Sequence, residues 1–294
     1  MAKRNKSTLY IEYLLAYLGK NLILLLPWYW ARKVGRLLGW LTQYLLPKRR
    51  KIVFDNLQHS FPEKNEKEIK HIAEQIWKNI GITTGEFIKI LHLNENNLST
   101  YVEITGEDRL KRNLEIGKGV ILLSAHFCNW EIIHIALAIK GYPIAGIARP
   151  LENYMVNRLV NSVRESKGGR IILASQGMKE ALSWLRMNRL VYVLIDQRIT
   201  EGDVYVNFFN RPAATTPAVA ILAKRTGAPV LPVYTLRGIK GKLSICIERP
   251  VTLKRMNNIH EETLQNTAYF TKIIEEWIKA YPSEWFWLHN RWKR

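Results

Sequence analysis

The stretch GVILLSAHFCNWE, from Gly119 to Glu131, carries the clearest structural signal in the chain. Its first half is a continuous apolar run with β-branched members, which is typical of a strand buried on both faces of a parallel sheet. Polar residues follow at once, and Asn129 to Lys140 has the pattern of a helix that ends at Gly141. The stretch therefore predicts a strand, a tight turn and a helix, the unit from which α/β sheets are built.

The same alternation continues on both sides of this unit. No segment rich in Pro, Gly or Ser divides the region, so we predict one α/β domain with a mostly parallel central sheet flanked by helices. Further strands are predicted at 101–104, 144–148, 170–173, 190–195, 229–235 and 242–248, and helices at 66–91, 107–115, 152–167, 178–189, 216–226 and 260–281.

The composition is that of a globular protein with a strong positive charge. The chain has 294 residues, 47% hydrophobic and 23% charged, with a formal net charge of +19. Its two cysteines, Cys128 and Cys246, exclude a disulfide scaffold and cannot form a zinc cluster by themselves. An excess of positive charge of this size indicates an anionic partner: nucleic acid, a membrane surface or a phosphorylated substrate.

Close to half of that excess lies in residues 1–60, where eleven Lys and Arg face only two acidic residues. Between the charges lie two apolar stretches rich in Trp and Tyr, Leu9 to Ala31 and Leu37 to Pro47. Because charges and Pro27 interrupt the first stretch, we predict that residues 1–47 form helices lying in a membrane interface. Residues 48–294 then form the main domain. The alternative is that the N-terminal segment is a pair of buried helices that cover the core.

The end of the strand before His126 is the first candidate site, because open α/β sheets place their chemistry at the carboxyl ends of strands. Glu131 follows five residues later, and a tight turn can fold its carboxylate onto the imidazole. His126 would then be a general base and Glu131 its orienting partner. The alternative is a helix-capping histidine with a solvated glutamate. Cys128 is a poor candidate nucleophile, and we expect His134 to be a structural histidine with satisfied ring nitrogens.

Other strand ends offer groups that bind polar substrates. Arg149 follows the strand at 144–148, and Arg170 begins the strand after it; both are candidates for binding phosphate. Asp196 and Gln197 follow the strand at 190–195 and are candidates either for substrate binding or for anchoring a loop.

A threonine pair and several missing motifs complete the pattern. Thr215 or Thr216 is a suitable N-cap for the next helix, whose N-terminus can bind an anion. The chain has no Walker-type loop, dinucleotide fingerprint, nucleophile elbow or Cys/His metal spacing, which disfavours nucleotide-driven chemistry and metal-dependent hydrolysis.

His126-x4-Glu131 resembles the His-x4-Asp/Glu motif of glycerolipid-type acyltransferases, and the wider context resembles the late acyltransferases of lipid A biosynthesis. Asn210 stands where that family usually has Gly, and because Asn tolerates positive φ we expect the turn to survive. The matching residues run in order along nearly the whole chain: Arg49-Arg50, Asn56-Leu57, Phe61-Pro62, the His126 block, Arg149-Pro150, Gly169-Arg170, Asp196-Gln197, Phe208-Phe209 to Ala228-Pro229, and Trp287-Leu288-His289-x-Arg291-Trp292-Lys293.

The resemblance implies a membrane-associated O-acyltransferase that needs no cofactor or metal. It implies that His126 activates a hydroxyl of a lipid A precursor and that the acyl chain comes from a thioester, either acyl-carrier protein, the usual donor, or acyl-CoA. It further implies a place at the cytoplasmic face of the bacterial inner membrane, with anionic lipid rather than nucleic acid as the partner.

Two other functions are consistent with the sequence. Mycobacterial phosphatidylinositol mannoside acyltransferases carry a related pattern, so the acceptor could be another glycolipid or a lysophospholipid. A basic membrane scaffold or nucleic-acid-binding protein would explain the charge alone.

Overall fold

A seven-stranded sheet forms the centre of the protein, whose computed structural model describes residues 5–198, 204–238 and 240–292. The strand order is β1-β9-β8-β2-β5-β3-β4, and β6 pairs with β7 in a separate antiparallel hairpin. The strands are β1 Val102–Thr105, β2 Val120–Ser124, β3 Ile144–Ala148, β4 Arg170–Leu173, β5 Leu190–Leu194, β6 Val204–Phe208, β7 Arg211–Thr215, β8 Val230–Arg237 and β9 Leu243–Ile247.

Five neighbouring strands of the sheet run parallel, from β8 to β4, and β9 pairs antiparallel with β8. The predicted, mostly parallel α/β sheet is therefore confirmed. Each of the five residues of β2 has at most 1% of its surface exposed, as the continuous apolar run predicts for a central strand. The carboxyl ends of β2, β5 and β3 consequently open on one edge of the sheet.

Helices precede, connect and follow the strands. Helix α7 contacts α8, and helix α9 contacts α10. Helix α7 also packs on β3. The helices are α1 Lys6–Leu25, α2 Trp28–Leu45, α3 Pro47–Ser60, α4 Glu66–Lys89, α5 Leu98–Tyr101, α6 Glu107–Leu114, α7 Glu131–Ile139, α8 Tyr154–Arg164, α9 Gly177–Arg186, α10 Ala218–Thr226 and α11 Ile259–Ala280.

The turn between β6 and β7 has two residues in the left-handed region, Phe209 at φ 51° and Asn210 at φ 58°. Asn adopts this conformation more readily than most residues, so the expectation that the turn survives without Gly is confirmed.

Helix α2 packs against α4 through glycines, with backbone touching backbone. A Cβ atom added at Gly35 would lie 2.3 Å from the carbonyl oxygen of Gly81, and one at Gly39 would lie 2.2 Å from that of Trp77. One face of the N-terminal pair thus covers the domain, as the second interpretation of this segment expected.

The other face of α1 and α2 exposes large apolar side chains. No helix in the described ranges is long and apolar enough to cross a membrane. Eleven of the large apolar side chains on these two helices are more than half exposed: Tyr10, Ile11, Leu15, Leu22, Leu25, Tyr29, Trp30, Leu37, Leu38, Tyr44 and Leu45.

Candidate active site

The turn between β2 and α7, residues 125–130, is held from several sides and is called the catalytic turn below. Its backbone pairs with the C-terminal segment: the N–H of Cys128 donates to the Glu284 carbonyl (2.7 Å), and the N–H of Phe286 donates to the His126 carbonyl (3.0 Å). Cys128 has a φ of 50°, so the turn folds back sharply. The result is a fixed backbone from which His126 projects beyond the sheet edge.

His126 is paired with Asp196. Its ring Nδ1 lies 2.9 Å from Asp196 Oδ1, and its backbone N–H donates to Oδ2 at 3.0 Å. The indole N–H of Trp285 donates to the same Oδ2 at 2.7 Å. The Asp196 side chain is 1% exposed and that of His126 is 24% exposed. The carboxylate is therefore enclosed, whereas the imidazole reaches solvent.

The register of the sheet explains this pairing. Ser124 of β2 lies directly beside Leu194 of β5. His126 and Asp196 each follow two residues later along parallel strands, so they meet at the same level of the sheet edge.

The charge state of Asp196 determines what the ring can do. Burial raises the pKa of this carboxyl, but the charge of His126 and the hydrogen bonds from His126 and Trp285 outweigh it, so the pKa lies below its usual range. An ionised Asp196 can only accept, so Nδ1 of His126 carries the proton. The other nitrogen, Nε2, is left with a free lone pair, which is the arrangement of a general base.

Glu131 has a different partner from the one that the sequence predicts. Arg164 of α8 binds its carboxylate with two nitrogens, Nε to Oε2 at 2.9 Å and Nη2 to Oε1 at 2.5 Å, and the Trp130 indole also donates to it. The orienting carboxylate of His126 is thus Asp196 and not Glu131. The physical reason is that Glu131 begins α7, which contacts α8, whereas Asp196 follows the strand beside β2.

A buried ionic cluster supports the catalytic turn from below. Glu86 is fully buried and accepts from Arg237 (2.9 Å), from Arg32 (2.6 Å) and from the amide of Asn129 (3.1 Å). The Oδ1 atom of Asn129 in turn accepts from the N–H of Ile132 in the first turn of α7. Despite burial, the two arginines hold the pKa of Glu86 low, so the cluster keeps its charges.

A cavity of about 290 Å³, called the site cavity below, opens beside His126. Arg149 and Gln197 line it, as the sequence led us to expect, together with Arg198 and Thr216. Neither Arg149 nor Arg198 forms an ion pair with another described residue. Two guanidinium groups that no described carboxylate neutralises, next to His126, make the cavity suited to an anionic group.

Two residues assigned to substrate binding lie elsewhere. Arg170 begins β4 and thus lies at the opposite edge of the parallel sheet, where it pairs with Glu180 at 2.7 Å. Asp196 is too enclosed to contact substrate, since its oxygens are taken by His126 and Trp285. Arg170 lies away from the site cavity because the start and the end of a parallel strand lie at opposite edges of the sheet, and the partner of Asp196 is His126.

Cys128 and Thr216 fit their expected roles in part. Burial raises the pKa of the Cys128 thiol well above its usual value, which makes it a poor nucleophile. Thr216 Oγ1 accepts from the N–H of Ala218 at 3.3 Å, although the N-cap position itself is Pro217. Thr215 ends β7 and bonds Arg291 instead, so it is not the cap.

A second, apolar cavity of about 570 Å³ lies between the N-terminal helices and the domain and is called the apolar cavity below. Ile23, Leu38, Ile80 and Val160 are among the residues that line it. Phe286 also lines it, and the ring of Phe286 lies 6.3 Å from that of His126. The apolar cavity therefore ends next to His126.

The sequence model of the bacterial lipid A biosynthesis acyltransferases matches residues 1–294. The chain belongs to this family. As a member of the lipid A acyltransferase family it is an O-acyltransferase, and the acyl-transfer interpretation of the site replaces that of a nucleic-acid-binding protein or scaffold.

Individual relatives agree with this assignment. The lipid A biosynthesis lauroyltransferase of Escherichia coli K12 is 25% identical over 298 residues, which is 100% of this chain and 96% of that protein. The palmitoleoyltransferase of the same strain is 23% identical, over 99% and 95% of the two chains. A phosphatidylinositol mannoside acyltransferase of Mycobacterium tuberculosis is 29% identical over 155 residues, 51% of this chain and 49% of that one.

Two residues of this candidate site were missed at the sequence level: Arg164 and Trp285. Arg164 lies within a predicted helix and has no local signal. Trp285 reaches Asp196 from the far end of the chain, a separation of 89 residues. Arg198 belongs to the charged cluster that the sequence places directly after the strand at 190–195, and it lines the site cavity.

Proposed function

We propose that this protein transfers a fatty acyl chain from an acyl thioester, with acyl-carrier protein as donor, to a hydroxyl of a lipid A precursor. The observation that carries the mechanism is the hydrogen bond between His126 Nδ1 and the enclosed carboxylate of Asp196. It leaves Nε2 as the base on the side that lines the site cavity.

The reaction follows from that geometry. Nε2 of His126 removes the proton from the acceptor hydroxyl as its oxygen attacks the thioester carbonyl carbon. Asp196 stabilises the imidazolium that forms, the C–S bond breaks, and the imidazolium returns the proton to the leaving thiolate. General base catalysis of this kind contributes roughly 10²–10⁴-fold. No acyl-enzyme is needed, which agrees with the inert Cys128.

The apolar cavity offers a place for the acyl chain of the donor. It is lined almost wholly by apolar side chains and ends at Phe286 beside His126. A chain lying in it would bring its thioester to the base. The headgroup of the acceptor then enters the site cavity, where Arg149 and Arg198 can bind its phosphate.

We also propose that α1 and α2 dock the protein on the inner face of the bacterial cytoplasmic membrane. Their outer faces combine exposed apolar residues such as Trp30 and Leu37 with basic residues such as Lys33 and Arg36. Each basic residue near an anionic surface contributes about 1 kcal/mol. The apolar cavity lies behind these helices, so an acyl chain could pass between it and the lipid phase.

The acyl-transfer proposal is tested with purified protein and labelled acyl-acyl-carrier protein. The acceptors are an acylated, phosphorylated glucosamine lipid, a phosphatidylinositol mannoside and a lysophospholipid, each in mixed micelles. We expect label on the glucosamine lipid, and no product with His126→Ala protein whose circular dichroism is unchanged. Label on the mannoside or lysophospholipid alone would assign the protein to another glycolipid, and full activity of His126→Ala would overturn the mechanism.

Membrane docking is tested by vesicle flotation. Binding to vesicles with 30% or so anionic lipid should exceed binding to neutral vesicles and weaken as salt rises. Trp30→Ser combined with Leu37→Ser should reduce it, whereas Tyr205→Ser, an exposed residue of β6, should not. Equal flotation of both variants would remove this face of α2 from the docking surface.

A further inference from the structure

A third cavity, of about 690 Å³, lies beside the carboxyl edge of the sheet at the starts of α9 and α10 and is called the side cavity below. Its walls include Val193 of β5, Met178 of α9 and Ile221 of α10. It shares six lining residues with the site cavity: Ile147, Ala148, Arg149, Pro150, Leu194 and Thr216. The two cavities therefore adjoin across a common wall, and the proposed function gives the side cavity no ligand.

The side cavity lies on the opposite face of the sheet from the apolar cavity. Along β5, Tyr192 lines the site cavity, and the next residue, Val193, whose side chain points to the other face, lines the side cavity. The apolar cavity is bounded by α1, α2, α4 and α8, whereas the side cavity is bounded by α9 and α10. The site cavity thus lies between two compartments, one behind α1 and α2 and one away from them.

The lining of the side cavity combines small and apolar residues with a few polar groups. Ala174, Gly177 and Ala218 are small, while Ser175 adds a hydroxyl and Arg149 a charge. Ser175 is exposed, so the cavity opens to solvent there. A fatty acyl chain would cover these polar groups without bonding them, and a sugar headgroup would find few partners for its hydroxyls. The lining suits a slender chain with well-separated polar groups.

The acyl donor is a linear molecule that reacts at its middle. Its acyl half has a place in the apolar cavity, which ends next to His126. The other half of a carrier-protein thioester is a pantetheine arm, a slender chain of amide groups that ends in a phosphate ester. Because the two halves extend from the thioester in different directions, the arm leaves the site cavity by a route other than the apolar cavity. The side cavity offers such a route.

We propose that the side cavity holds the pantetheine arm of the acyl donor and that the carrier protein stays outside, at the opening beside Ser175. The inference rests on the proposed function and adds to it a site for the second half of the donor. Thr216 Oγ1 accepts from the N–H of Ala218, so the hydroxyl proton of Thr216 can be donated to an amide carbonyl of the arm. The carrier protein then approaches from the side of α9 and α10, away from the helices proposed to lie on the membrane.

The test is protection of a cysteine placed at the opening of the side cavity. Alkylation of the Ser175→Cys protein by iodoacetamide is followed by mass spectrometry of the peptide with residue 175, which separates it from Cys128 and Cys246. The probe is a long-chain alkyl thioether of pantetheine, which has no carbonyl group to attack and cannot react. At about ten times its dissociation constant, measured by calorimetry, we expect the probe to slow alkylation of residue 175 roughly 3- to 10-fold.

Three controls separate the arm from other causes of protection. The same alkyl thioether of N-acetylcysteamine keeps the alkyl chain but lacks the outer part of the arm, so it should leave the alkylation rate unchanged. Met187→Cys places a cysteine at an exposed position at the other end of α9, and its alkylation should not depend on the probe. Ala174→Cys, a second exposed position of the lining, should be protected as residue 175 is.

An alkylation rate at residue 175 that the pantetheine thioether leaves unchanged would overturn the inference, as would failure of the probe to bind. Equal slowing by the N-acetylcysteamine thioether would also contradict it, and slowing by the glucosamine lipid alone would assign the side cavity to the acceptor. Protection requires binding but no turnover. If the native protein transfers no acyl chain to any acceptor, the proposed function fails instead, so the two failures are distinct.

Discussion

His126 and Asp196 lie two residues beyond neighbouring positions of parallel strands and face each other with 2.9 Å between Nδ1 and Oδ1. Trp285 donates to the same carboxylate from the C-terminal segment. The position of His126, the proposed base, therefore follows from the register of the sheet, and Trp285 encloses the carboxylate that it faces. Glu131 of the His-x4-Glu motif does not contact His126 through its carboxylate but forms an ion pair with Arg164.

The first prediction concerns Asp196. Asp196→Asn should keep the volume of the side chain but remove its charge, so Nδ1 no longer has an obligatory acceptor and the imidazolium loses its counter-charge. We expect kcat to fall by roughly 10²–10⁴-fold, the range of general base catalysis. The measurement is steady-state acyl transfer, with circular dichroism to confirm folding. Activity within a few fold of native would exclude Asp196 as the partner of the base.

The second prediction concerns the pair of Glu131 and Arg164. Their side chains are 12% and 20% exposed, and removing either one leaves a partly buried charge alone. Glu131→Gln and Arg164→Gln should each lower acyl transfer, and the double variant should lose much less than the two losses combined, with a coupling of about 0.5–3 kcal/mol. Strictly additive losses would mean that the two side chains act independently.

Much of this architecture could be predicted from the sequence, because the signals are local. The apolar run before His126 identified a central strand, and the periodic segments identified most helices. The partner of His126 was assigned incorrectly, because strand order and register are not local: nothing in the residues near His126 indicates that the strand ending at Leu194 lies beside its own. The same holds for Trp285, which lies 89 residues from Asp196. Arg170 was placed correctly at the start of a strand, but a strand start lies at the opposite edge of a parallel sheet from the strand ends that form the site.

The third prediction compares two arginines. Arg149 lines the site cavity, whereas Arg170 lies at the far edge of the sheet paired with Glu180. If the acceptor phosphate binds Arg149, Arg149→Gln loses a hydrogen bond to a charged group, which is worth about 1.5–3 kcal/mol. KM for the acceptor should rise about 10- to 100-fold. Arg170→Gln is the matched control and should leave KM unchanged; equal effects of both would point to general electrostatic attraction.

The fourth prediction concerns Glu86, whose carboxylate joins Arg237, Arg32 and Asn129 beneath the catalytic turn. Glu86→Gln leaves two buried guanidinium groups without a full counter-charge, and we expect the free energy of unfolding to fall by about 3–5 kcal/mol. Urea denaturation measures the loss. Glu66→Gln, in an exposed pair with Lys70 on the same helix, should change it little. A small effect at Glu86 would mean that the cluster is not electrostatically important.

The last prediction concerns the pH dependence of stability. The pKa of His134 is about 4 in the folded protein, against an ordinary value of 6.5, because burial disfavours the charged ring. Between these two pH values the unfolded chain binds more protons than the folded one, so stability rises with pH. The free energy of unfolding has its full value with respect to His134 above pH 6.5. As the pH falls to 4 it decreases through this group by on the order of 2–4 kcal/mol.

His134→Leu should therefore flatten the dependence of the unfolding free energy on pH between 6.5 and 4. The native protein should still be the less stable of the two at pH 4.5. His289, whose pKa burial also lowers to about 4, remains in both proteins, so some slope persists. Urea denaturation at pH 7.5, 6 and 4.5 gives both curves. Parallel curves for the two proteins would show that His134 is not held neutral in the fold, because its removal would then leave proton uptake on unfolding unchanged.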